Sequence, residues 1–176
     1  MSQDPDSQEP SVSNDAIVIL RDDHKEVRAL FREFQKESTT NARKKAIVSK
    51  VIELLTVHTY IENEVMYPQV RQLLPDLEGD ILESYEEHHV ADVLVMELST
   101  MKPSDERFEA KTTVLIENVT HHMEEEESDW FPKVRDGLSR TTLRQLGEQL
   151  LEAKKRAPRS PAQPSALKKA IDAMVS

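Results

Sequence analysis

Two segments of this 176-residue chain carry the same arrangement of chemically useful side chains. His58-Thr-Tyr-Ile-Glu62 runs on to Tyr67-Pro68, and His122-Met-Glu-Glu-Glu126 runs on to Phe131-Pro132. Each reads histidine, glutamate four residues later, four more residues, then an aromatic and a proline. In an α-helix, residues four apart stack one turn above each other on one face, so each segment aims an imidazole and a carboxylate at the same place. Imidazole nitrogen with carboxylate oxygen suits iron, manganese or zinc, whereas calcium and magnesium take oxygen shells.

Two further segments, Asp23-His24 and Glu87-His88, set one more histidine each into an apolar row. Ile17, Leu20, Val27 and Phe31 flank His24 at helical spacing, and Ile81, Tyr85, Ala91 and Val95 flank His88. Burying this many polar groups without partners would cost roughly 2–7 kcal/mol apiece. A pair of cations on the axis removes that penalty. The spacing places His24 with His58 at one metal and His88 with His122 at the other, with Glu62 and Glu126 bridging. His89 and His121 adjoin two of these residues but point about 100° away around the helix, so a half-exposed or supporting place is expected for both. Glu124 and Glu127 read as solvated, and Glu125 as an extra ligand or a supporting group. Tyr60, Tyr67, Tyr85, Trp130 and Phe131 read as packing at the ends of the helices.

The elements that must hold these groups are helical. Three glycines in the whole chain, with long stretches of Leu, Val, Glu, Lys and Arg, argue against a β-rich fold. The apolar periodicity predicts helices from about 15 with Asn14 as N-cap, over 42–66, over 77–101 and over 105–131. Pro68 and Pro132 are expected to kink or end theirs. The expected fold class is all-α, an up-down-up-down four-helix bundle with a short extra C-terminal helix near 141–154 and mobile tails. Residues 1–14 read as a disordered leader, 15–153 as the bundle domain, and 154–176 as a basic, Pro-rich tail ending in an amphipathic piece at 166–175.

A net charge of −10 makes a nucleic-acid partner a poor expectation. The absence of cysteine excludes disulfides, thiol chemistry and iron–sulfur clusters. The polar, acidic start lacks the basic and apolar regions of a signal peptide, and no segment has transmembrane length, so a cytoplasmic protein without membrane contact is expected.

With these motifs in view, the chain resembles the hemerythrin HHE cation-binding family over Asp15 to Pro132. The resemblance rests on Asp23-His24, His58 to Pro68, Glu87-His88 and His121 to Pro132. It implies a four-helix bundle around two iron ions, oxo- or hydroxo-bridged, with manganese or zinc less favoured. It further implies a centre that binds oxygen, peroxide or nitric oxide, with peroxide decomposition as a possible activity. One departure stands out. Oxygen-carrying members supply a fifth terminal histidine one turn from the third-helix histidine, but here Ser84 and Asp92 flank His88 at that spacing. Asp92, Glu125, a tyrosine or solvent are the candidates to fill the gap. An oxygen-rich or open site favours redox reactivity over oxygen carriage. The alternative is a metal- or redox-responsive sensor or iron-homeostasis module without turnover.

Overall fold

The computed structural model describes residues 14–161, so the expected leader up to residue 13 and the amphipathic piece at 166–175 lie outside the described residues. Helix α1 spans Ala16–Phe34. Its N-cap is Asp15 rather than Asn14, with the Asp15 carboxylate accepting from the backbone N–H groups of Ile17 and Val18. A carboxylate satisfies the unpaired amides of a first turn better than an amide side chain, because it adds charge at the positive end of the helix dipole. Helix α2, Asn41–Ile61, starts at Thr40, whose hydroxyl accepts from the Arg43 N–H.

The two prolines expected to kink or end helices do not end them; each follows a local widening of the helix. After α2 the chain widens into a π-helical turn, Glu62–Met66, and continues into α3, Tyr67–Leu73. After α5, Phe108–Glu125, it widens again at Glu126–Trp130 and continues into α6, Phe131–Gly137. Proline cannot donate a backbone hydrogen bond, and its ring clashes with the carbonyl four residues earlier. The wider turn relieves both problems: the Tyr67 N–H reaches back five residues to the Glu62 carbonyl, and the Phe131 N–H to that of Glu126. Each motif glutamate is therefore the first residue of a π-turn.

Helix α4, Glu78–Thr100, follows a short 3₁₀ turn at Pro75–Leu77. The expected short C-terminal helix is a full one, α7, Arg140–Arg156, capped by Ser139. It takes in Lys154, Lys155 and Arg156, so the presumed tail begins later than residue 154. All of the regular structure among the described residues is helical.

α1 packs on α2, α2 on α4, α4 on α5 and α5 on α1, while α7 lies along α1 and α2. Gly147 is where α7 meets the start of α1, and a Cβ there would stand 1.5 Å from the Asn14 carbonyl oxygen. Two apolar clusters result. One joins Val27, Phe31, Val51, Leu55, Val95 and Phe108. The other joins Ile17, Leu20, Ile61, Tyr67, Trp130 and Leu143. Between the two clusters, in sequence and in space, lies a layer of buried histidines and glutamates. No helix among the described residues is long and apolar enough to cross a membrane.

Candidate metal centre

His24, His58, His88 and His122 come from α1, α2, α4 and α5, and all four are buried. Glu62 and Glu126, at the heads of the two π-turns, are 0% and 2% exposed. The Nε2 atoms face inward in pairs, with His24 3.1 Å from His58 and His88 3.0 Å from His122. Glu62 Oε2 lies 3.3 Å from His58 Nε2 and 3.2 Å from His88 Nε2, so one carboxylate touches both pairs. Glu126 Oε2 lies 3.3 Å from His24 Nε2 and 3.7 Å from His122 Nε2, and does the same from the other side. Ligand atoms of His24, His58, Glu62 and Glu126 lie within 4.8 Å of one another, as do those of Glu62, His88 and His122.

Every outer nitrogen is occupied. Nδ1 of His58 donates to Asp23 at 3.2 Å and Nδ1 of His122 to Glu87 at 2.5 Å. Nδ1 of His88 donates to the Asn63 side-chain oxygen at 2.9 Å, and Nδ1 of His24 to Glu127 at 2.8 Å. The sequence organises this in two crossed sets. The acid preceding each unrepeated histidine (Asp23, Glu87) holds a motif histidine on another helix. The residue following each motif glutamate (Asn63, Glu127) holds an unrepeated histidine. With Nδ1 engaged from outside, each Nε2 is turned to the interior, which is the orientation of a metal-bound imidazole.

Chemistry without a partner is visible at the centre. Glu62 Oε1 is buried and accepts no hydrogen bond, while the buried Glu126 Oε2 meets the Nε2 atoms of His24 and His122. Burial alone would push both His24 and His122 down. Against it, Glu126 and Glu127 raise His24 to about 9, and Glu126 and Glu87 raise His122 to about 9. Burial, with the charge of His122, depresses His88 to about 3. Burial and the neighbouring Glu126 lift Glu62 to about 7. Burial also works against the charge on Glu126, yet His122 and His24 hold it well below the ordinary carboxylate range. In the absence of a cation, protons on His24 and His122 supply the positive charge this layer requires. The donor set, the inward Nε2 atoms and the unpartnered Glu62 oxygen all fit bound cations.

Tyr67, expected to be end packing, has its hydroxyl in the site. It donates to Glu126 Oε1 at 2.9 Å and lies 3.2 Å from His88 Nε2, 3.4 Å from Glu62 Oε2 and 3.5 Å from His122 Nε2. Burial holds its phenol well above its usual value. Phe131, its counterpart in the repeat, stacks on His24 at 5.8 Å and offers no donor atom. Glu127, expected to be solvated, binds both His24 and the Arg28 guanidinium, and the hydrogen bond from His24 pulls its carboxyl down to about 2. Glu125 and His121 stay exposed, 3.2 Å apart, and neither joins the buried groups. Asp92 and His89 are half-buried and also belong to neither. Asp23, Asn63 and Glu87 were not singled out as site residues. The signal that could have found the two acids is their place immediately before His24 and His88.

A helical domain whose histidines and carboxylates converge in a buried layer has the groups that could hold a metal ion. The hemerythrin HHE cation binding domain family matches residues 15–134, and the chain belongs to that family. A DNA nickase from Nostoc sp. (strain PCC 7120 / SAG 25.82 / UTEX 2576) is 29% identical over 154 residues, covering 88% of this chain. The chain spans only 42% of that protein's length. A solved structure of a hemerythrin HHE cation binding domain-containing protein, the Rv2633c homolog from Mycobacterium kansasii, shares the fold with a TM-score of 0.67 at 20% identity. That likeness covers 81% of this chain and 86% of the other.

Proposed function

We propose that this domain holds two iron ions and binds oxygen, peroxide or nitric oxide beside them, with peroxide decomposition as the activity. The observation that carries the reading is the common orientation of four imidazoles, each with Nδ1 held from outside and Nε2 turned in. His24 and His58 would hold one ion and His88 and His122 the other, with Glu62 and Glu126, which touch both pairs, shared between them. The Tyr67 hydroxyl lies beside the His88–His122 pair. Bound iron would supply Lewis acidity and reversible electron storage. The chain's own residues do the rest. Asp23, Glu87, Asn63 and Glu127 fix the rings, and Tyr67 holds a proton 2.9 Å from Glu126. A cavity of about 20 Å³ against the four histidines, walled on its other sides by Val27, Leu55, Ala91, Val119 and Met123, has room for a small ligand only.

Absorption spectra of the iron-loaded protein before and after peroxide and nitric oxide test this reading. New charge-transfer bands on addition support it. An iron-loaded protein whose spectrum neither reagent changes counts against it.

A second reading has its own support. Asp23 joins His58 to Lys154 on α7, so occupancy of the centre could reach the C-terminal helix, as a metal-responsive module requires. Hydrogen exchange along α7 that is the same with and without iron would oppose that reading. Nicking of DNA, the activity named for the Nostoc relative, is not proposed for this chain, whose charge of −10 would repel a phosphate backbone.

A further inference from the structure

The buried centre sits between two apolar clusters, and a hydrated divalent cation does not cross either at reasonable cost. One wall is different. A cleft of about 320 Å³ between α4 and the second π-turn is lined by Asp80, Glu83, Glu87, Glu125 and Asp129. His122 and Glu126 of the buried centre also line it, so the cleft reaches the ligands themselves. Two of the lining carboxylates also reach a residue outside the cleft: His121 Nε2 lies 3.2 Å from Glu125 Oε1 and 4.0 Å from Glu87 Oε1. These three residues bring one ligand atom each within 4.8 Å of one another. Glu87 thus has one oxygen toward His121 and the other on the buried His122.

From this we infer that the cleft is the route by which a divalent cation reaches the centre, with His121, Glu125 and Glu87 as an outer staging site. The inference rests on the two-metal reading above. The carboxylates replace hydration water step by step. They draw the cation toward the inner end of the cleft, where Glu126 and His122 take over. Lys133 spans Asp80 and Asp129, so its ammonium already occupies a cation position at the mouth and must yield to an incoming ion. This gives Glu125 and His121, which stay outside the buried centre, a task of their own. It also predicts that metal uptake, not metal retention, depends on them.

The test is stopped-flow uptake of Fe(II) by the metal-free full-length chain under anaerobic conditions. The single tryptophan, Trp130, lines the cleft and reports binding through its fluorescence. In the wild type, the rate should saturate with Fe(II) concentration and fall with added salt. Replacing Glu83, Glu125 and Asp129 (E83Q/E125Q/D129N) should slow uptake at low salt by at least about tenfold, within the range of electrostatic steering. Final iron content should remain that of the wild type. His121→Ala should abolish the saturation. Neutralising three exposed carboxylates elsewhere (E37Q/E106Q/E148Q) should leave the rate alone. Uptake by the cleft variant at the wild-type rate, or equal slowing by the control, overturns the route while leaving the metal centre intact. A wild-type chain that takes up no iron overturns both readings.

Discussion

Replacing Glu127 with glutamine changes one atom in a residue that sequence periodicity assigns to solvent. In the fold, its carboxylate accepts from His24 Nδ1 at 2.8 Å and from the Arg28 guanidinium at 2.7 Å. An amide of the same shape keeps an acceptor for His24 but removes the charge. A hydrogen bond to a charged group contributes about 1.5–3 kcal/mol net, against about 0.5–1.5 for a neutral one. The expected loss is the difference, about 1–1.5 kcal/mol, because the less polarised imidazole is a weaker donor to a cation. That corresponds to roughly a tenfold fall in metal affinity, at the lower end of the 10–100-fold typical of groups supporting a ligand. Chelator competition on the iron-loaded protein measures it, with Glu124→Gln as the control, since Glu124 is exposed and three residues nearer the start of the chain. Unchanged affinity in Glu127→Gln, or an equal loss in Glu124→Gln, would refute the reasoning.

Other outcomes follow from the same geometry. Tyr67→Phe keeps the ring packed against Trp130 and Tyr85 but removes the hydrogen bond to the Glu126 carboxylate. The metal-free protein should lose about 1.5–3 kcal/mol in denaturant titration, and the iron form any tyrosinate absorption band. Stability of the metal-free protein should decline as pH rises from about 6.5 to 9. His24 and His122 have raised values, so their contribution is complete below the unfolded-state value and is lost as pH passes through about 9. Metal affinity should rise over the same interval, because those two protons must leave for cations to bind. A flat profile for both would be contradictory. Gly147→Ala should lower the melting temperature, since its Cβ would meet the Asn14 backbone and overpacking typically costs about 1–3 kcal/mol. An unchanged melting temperature would mean α7 is not seated there.

The sequence already displayed most of the buried layer. His24, His58, His88 and His122 fall into apolar rows of period 3.6, and the duplicated spacing marks Glu62 and Glu126. A helix signals such residues through its own periodicity, without reference to its neighbours. Tyr67 escaped because ideal α-geometry carries a residue five positions beyond Glu62 well off the inner face. Only the π-turn brings it back, and its sequence signal is Pro68, which is read as a kink or an end rather than as a widened turn. Asp23, Glu87, Asn63 and Glu127 escaped for another reason. Each acts across an interhelical gap, and no single-helix pattern encodes a partner on a different helix. The seat of α7 on the start of α1 is a close backbone approach at Gly147, which periodicity does not report.

The central claim is that these six histidines and glutamates bind two metal ions together. The direct measurement is metal analysis of the purified full-length chain after iron loading and removal of excess. It should be run beside Glu62→Ala and Glu126→Ala, the two residues that touch both histidine pairs. The account predicts two irons per wild-type chain and a loss of both from either variant, since each carboxylate belongs to both halves. One iron or none in the wild type, or two irons retained in either variant, would contradict it.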